Sequence, residues 1–232
     1  MSNEIESTDV IKKRLEEQLE RQREAAAGMR TGMAFITFKN ANMKVDGQPV
    51  PNNTADVRVL AAVSERAWYD GPYDPDTPQV PACYSLDSDE PHPEAADPQS
   101  EKCGDCPKNK WGSAPPRPGS NVPGKGKACR EGARLIVVPA NVPLKSAPMY
   151  TAKIPVTSLS TVNNFTSRCN QSGKLTGEFV TTMNVTEDKK SFFKVHLTMK
   201  EHTSDIDIGL LLNKQEEAYQ LAMTPYPTFD QD

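Results

Sequence analysis

The chain has 232 residues and a formal net charge of −4, with 36 % hydrophobic and 6 % aromatic content. That length allows one or two domains, and no apolar run is long enough to span a membrane. Met1-Ser2-Asn3-Glu4 has neither the basic start nor the apolar core of a secretory signal, so a cytoplasmic location with reduced thiols is expected.

Residues 1–30 read as an N-terminal arm. Within it a helix is expected over 8–27, capped by Ser7 or Thr8, with Ile11, Leu15 and Leu19 as a narrow apolar stripe and Gly28 as its stop. Residues 31–224 read as the main domain. Ala34 to Lys39 forms its first strand, and Asp46-Gly47 marks a turn followed by edge or loop because of Pro49 and Pro51. Val57, Val59, Ala61 and Val63 alternate and are expected to face one way along a second strand. Trp68, Tyr69 and Tyr73 then cluster among Asp, Gly and Pro, either packing the core edge or forming a platform for bases.

Residues 81–131 break the pattern. Four of the five cysteines and nearly half of the 20 prolines lie here or at its edges, with no helix or strand period. Such a segment cannot bury a core of its own and needs something to hold it. Cys103-Gly104-Asp105-Cys106 puts two thiols on one turn, and Cys83 and Cys129 each stand beside an expected strand. Four sulfurs suit one structural zinc ion. Redox-active or simply reduced cysteines are the alternatives, but the strand–helix context of a redox Cys-x-x-Cys is missing. His92, in a stiff Pro-His-Pro, ranks below all four as a ligand. From Glu65 to Glu101 almost every charge is acidic; from Lys102 to Arg134 most are basic. On charge alone this reads as a solvated loop.

Beyond it, Leu135 to Val138 and Met149 to Val156 read as strands. Residues 158–170 read as a helix behind a Thr157 or Ser158 cap, with Cys169 a buried thiol on its apolar face. Glu178 to Val185 and Ser191 to Lys200 form a hairpin, with Phe193, Val195, Leu197 and Met199 facing in. Asn213 and Glu216 suggest a capping box for a last helix that Pro225 stops. Residues 225–232 read as an acidic and aromatic tail. The three histidines have no neighbouring Ser or Cys nucleophile, and there is no Gly-rich phosphate loop, so no enzyme is expected. The pattern fits a β-rich α+β fold: an OB-like small barrel with a zinc-stapled loop insertion and flanking helices.

Four phrases carry a family resemblance: Pro81-Ala82-Cys83-Tyr84-Ser85, Cys103-Gly104-Asp105-Cys106-Pro107, Trp111-Gly112-Ser113 and Gly124-Lys125-Gly126-Lys127-Ala128-Cys129-Arg130. Over residues 81–138 the chain resembles bacteriophage single-stranded DNA-binding proteins of the zinc-containing kind. The resemblance implies an OB-fold that coats single strands in phage replication and recombination, in the host cytoplasm. It also implies one structural Zn²⁺ and a tail that recruits replication proteins, although only Asp230 and Asp232 follow Phe229 here. Under that reading Lys108, Lys110, Lys125, Lys127, Arg130 and Arg134 meet phosphates, and Trp111, Trp68, Tyr69 and Tyr73 stack bases. Trp111 could instead be a lid over the zinc knuckle. The competing reading is a non-catalytic zinc-ribbon protein-interaction factor acting on host replication or transcription machinery.

Overall fold

The structure is a computed structural model that describes residues 12–15, 17–18, 34–71, 79–116, 119–122 and 124–226. Of the expected N-terminal helix, residues 12–15 and 17–18 are helical; the remainder lies outside the described residues. Tyr73 and tail residues 227–232 lie outside them as well.

The strands, in chain order, are β1 (Phe35–Lys39), β2 (Asn42–Val45), β3 (Gln48–Pro49), β4 (Thr54–Trp68), β5 (Cys83–Ser85), β6 (Arg130–Pro139), β7 (Tyr150–Pro155), β8 (Phe179–Asp188) and β9 (Phe192–His202). Two α-helices are described beside the sheet, α1 (Leu159–Gln171) after β7 and α2 (Ile208–Ala222) after β9. Eight strands follow the order β3-β2-β1-β7-β6-β4-β8-β9, and β5 pairs with β4 off that path. All pairings are antiparallel except β1 with β7. The result is a β-rich α+β protein whose sheet curls into a half-barrel. An N-terminal hairpin, β1 with β2, docks on β7 and extends the sheet.

That hairpin was only partly legible. Asn40 and Ala41 take φ of 52° and 58°, and Asp46 and Gly47 take 47° and 79°. Left-handed pairs of this kind match the twist of tight hairpins. They produce β2, a four-residue strand too short for its alternation to stand out, although its Met43 is fully buried.

β4 corrects a second expectation. Its register on β6 shifts between Val59 and Ala61. A bulge of one residue reverses which face later side chains occupy. Val57 and Val59 therefore join the core cluster under α1, whereas Ala61 and Val63 pack with the cluster under α2. β6 serves both layers by simple alternation: Leu135 and Val137 on one face, Ile136 and Val138 on the other.

α1 buries Val162, Phe165 and Cys169, as its spacing predicts. Its Ser158 does not cap it; the Ser158 hydroxyl accepts the Val195 N–H at 2.9 Å, and Thr161 Oγ1 accepts the Leu197 N–H at 3.0 Å. The helix thus satisfies donors along β9, the last strand of the path, which would otherwise be an open edge. α2 starts more than a turn before the expected Asn213, with Asp207 Oδ1 accepting the Leu210 N–H at 3.0 Å. A capping pair can be read anywhere Asn and Glu fall three apart, and the nearer Asp207 wins because Leu211 must reach the core. No helix among the described residues is long and apolar enough to cross a membrane.

Candidate functional site

The C-terminal end of β4 gathers the site. Trp68 lies opposite Cys83 of β5, and Ala67 opposite Arg130 of β6, so Cys83 and Cys129 arrive on either side of one strand. The intervening arm is folded back by backbone bonds from Cys103 N–H to Asp89 O at 2.7 Å and from Cys129 N–H to Lys108 O at 2.8 Å. Cys83, Cys103, Cys106 and Cys129 are all buried and none is in a disulfide.

Burial pushes the thiols of Cys83 and Cys103 up, and that of Cys129 up to about 11. The neighbouring sulfurs add to it: Cys129 feels Cys106, Cys103 and Cys83, while Arg66 opposes the shift. The four thiols therefore share one electrostatic environment. As placed, no group of three or more His, Cys, Asp or Glu side chains among the described residues could hold a metal ion. Metal binding by such a set would require the thiols to lose their protons. His92 is engaged elsewhere: its ring stacks on Tyr84 at 5.0 Å and its Nδ1 faces the Tyr84 hydroxyl at 3.1 Å.

Asn109 is the residue that sequence reasoning missed. Its Nδ2 donates to Cys103 O at 2.8 Å, and its Oδ1 accepts from Arg66 Nη1 at 2.8 Å and Lys127 Nζ at 3.0 Å. Glu131 closes the ring, 2.7 Å from Arg66 and 3.4 Å from Lys127. An Asn in a polar loop carries no sequence signal for this; only the fold brings its partners together.

Two of the quoted phrases form one small hairpin. Gly112 and Ala114 N–H both bond Gly126 O at 3.0 Å, and Gly124 N–H bonds Ala114 O at 3.0 Å. A Cβ at Gly124 would stand 2.8 Å from the Ala114 side chain, so this approach requires glycine. The hairpin holds Trp111 outward at 79 % exposure, with the Lys127 ammonium 5.8 Å from its ring. Trp111 is not a lid over the cysteines. That place belongs to Trp68, 9 % exposed, which packs with Cys83 and Cys129 beneath Lys108, whose ammonium is 4.4 Å from the ring.

Between arm and sheet lies a groove of about 690 Å³. Trp111, Lys127 and Arg130 border it on the arm side, Lys153 and Pro155 of β7 on the other, with Gly132 and Ala67 also lining it. Tyr69 lines it half-buried, with Arg130 6.0 Å from its ring. Arg130 is exposed, as are Lys110 and Lys125, the chain neighbours of the lining residues Trp111 and Gly126. Arg134 does not join them. It is 2 % exposed, held by Glu65, and donates from Nη1 to the carbonyls of Ala222 at 2.9 Å and Thr224 at 2.6 Å. Its position on β6 turns it toward α2, so it serves the fold and not a ligand surface.

Tyr226 enters the groove from the chain's far end. Its hydroxyl donates to Glu65 and accepts from Lys153 Nζ at 2.7 Å, and its ring meets Tyr84 edge-on at 4.9 Å. Burial, then the nearby Glu65 charge, push this hydroxyl far above the ordinary tyrosine range. Burial likewise pulls Lys153 down, against the pull of Glu65. Comparison of the chain with protein-family models, with curated proteins and with solved structures finds no match in any of the three.

Proposed function

We propose that this protein binds single-stranded DNA with little base selectivity, coating it in phage replication or recombination in the host cytoplasm. The observation that carries the reading is the groove bordered by an outward Trp111 and by Lys127, Arg130 and Lys153. An exposed aromatic face stacks any base, and lysines and arginines along a groove track phosphates.

The strand order supports it. Taken as strands one to five, β4, β6, β7, β8 and β9 run three-two-one-four-five across the sheet, with α1 between the third and fourth. We read this as a partly open OB-like barrel carrying an extra N-terminal hairpin. The Cys-rich arm is then the connection between strands one and two, and the groove lies against strands two and three, where such barrels take up oligonucleotides.

In this reading Cys83, Cys103, Cys106 and Cys129 hold one Zn²⁺. Four buried cysteines, none in a disulfide, with Cys129 close enough to the other three to feel their charged forms, supply the sulfurs of such a donor set. The ion's role is structural. Through Cys103 and Asn109 the knuckle orients Lys127, and through the Trp111–Gly126 hairpin it presents the stacking ring.

The competing reading, a protein-interaction factor, is favoured by one feature: Ile208, Leu212 and Tyr219 expose an apolar stripe on α2. Quenching of tryptophan fluorescence by oligothymidylate separates the two. Saturable quenching, weaker with salt and weaker for duplex, supports DNA binding; no saturation supports the interaction factor.

A further inference from the structure

The β8–β9 turn carries a residue whose conformation does not suit its type. Phe192 has a φ of 68°, in the left-handed region that bulky side chains avoid. It is also 86 % exposed, the most exposed large apolar side chain among the described residues. Folding gains neither burial nor backbone comfort from it.

The turn nevertheless holds this arrangement firmly. Asp188 Oδ1 accepts the N–H of Lys190 at 3.0 Å and the N–H and hydroxyl of Ser191 at 2.8 Å each. The Ser191 hydroxyl also reaches Phe193 O at 3.1 Å. Lys194 is paired with Asp188 at 3.3 Å, whereas Lys189 and Lys190 are exposed and make no ion pair among the described residues. The adjoining Phe193 lines the groove. A rigid turn thus offers one aromatic face and two unpaired cations at the groove's margin.

We propose that this turn is a second contact for single-stranded DNA, with Phe192 stacked on a base and Lys189 and Lys190 on phosphates. It rests on the DNA-binding reading of the groove and extends the bound strand past Phe193. Strain retained at an exposed position points to use, because glycine would adopt the same backbone without the steric strain. Phenylalanine adds only a face, which suits sequence-tolerant stacking.

The test uses the full chain, an oligothymidylate of about 16 nucleotides, fluorescence titration and thermal melting. Phe192→Gly should raise Tm by about 2–4 °C and weaken binding about tenfold, opposite signs that a structural residue would not give. Phe192→Trp should keep the affinity, and its added fluorescence should be quenched on binding. Replacing Lys189 and Lys190 with Gln should lower the slope of log K against log salt by about 1.4. If Phe192→Gly binds like the wild type while Trp111→Ala binds weakly, the turn contact is overturned and the groove reading stands. If the wild type itself shows no saturable binding, both fall.

Discussion

Arg134 and Glu65 form an ion pair at the inner end of the groove, Nε to Oε2 at 2.8 Å, with side chains 2 % and 9 % exposed. The pair ties β6 to β4, and the remaining Arg134 donors fix the exit of α2 through the carbonyls of Ala222 and Thr224. Glu65→Ala would leave a buried guanidinium without its carboxylate and should cost about 3–5 kcal/mol of stability. Replacing both residues with apolar ones of similar size should cost less than Glu65→Ala alone. Urea unfolding of the single and double variants checks this; a loss below about 1 kcal/mol for Glu65→Ala would mean the pair behaves as a surface bridge.

Trp111→Ala should weaken oligothymidylate binding by about 1–3 kcal/mol without lowering Tm, because the ring is exposed and supports no core. Trp68→Ala should do the reverse, destabilising the knuckle it packs against. Lys110→Gln with Lys125→Gln should reduce the salt slope by about 1.4. Unchanged slope in that double variant would remove the arm from the binding path.

The purified protein should contain about one equivalent of zinc. Cys106→Ala should lose the metal and make the arm protease-sensitive, whereas Cys169→Ala should keep it, since Cys169 lies on the buried face of α1. Metal loss in the Cys169 variant would overturn the ligand set.

Truncation tests where the tail begins. The sequence suggests Pro225, but Tyr226 packs against Tyr84 and bonds Glu65 and Lys153. A chain ending at Tyr226 should keep full stability and bind DNA slightly more tightly at low salt, having lost acidic competition worth at most about 1 kcal/mol. A chain ending at Thr224 should lose about 2 kcal/mol of stability. Equal stability of the two would mean Tyr226 contributes nothing to the fold.

The Asp188 turn should resist acid. The Ser191 N–H, the Ser191 hydroxyl and the Lys190 N–H hold the Asp188 carboxylate far below the usual range. A lowered folded value means its contribution is present above the unfolded value of about 3.9 and is lost as pH falls through the folded one. At about pH 3 the Ser191 amide signal in an NMR titration should still report the ionised turn; a midpoint near 3.9 would contradict the hydrogen-bonded arrangement.

Local chemistry was enough for much of this protein. Short apolar stretches placed β1 and β7, and periodicity placed α1 and the β8–β9 hairpin, whose apolar spacing matches the backbone period. Composition alone singled out the Cys83–Cys129 arm, since a stretch rich in proline and poor in apolar side chains cannot fold by burial. Other features depended on distant partners. The bulge after Val59 redirected Ala61 and Val63, because two helices on opposite faces each needed apolar cover. Arg134, read as a phosphate contact within a basic run, is buried because β6 turns it toward Glu65 and the end of α2. Asn109 carried no local signal, and Phe192 showed only its outward place in the β9 alternation, with nothing to indicate its backbone conformation. Their roles arise from residues far along the chain or from backbone conformation, and side-chain identity within a short window encodes neither.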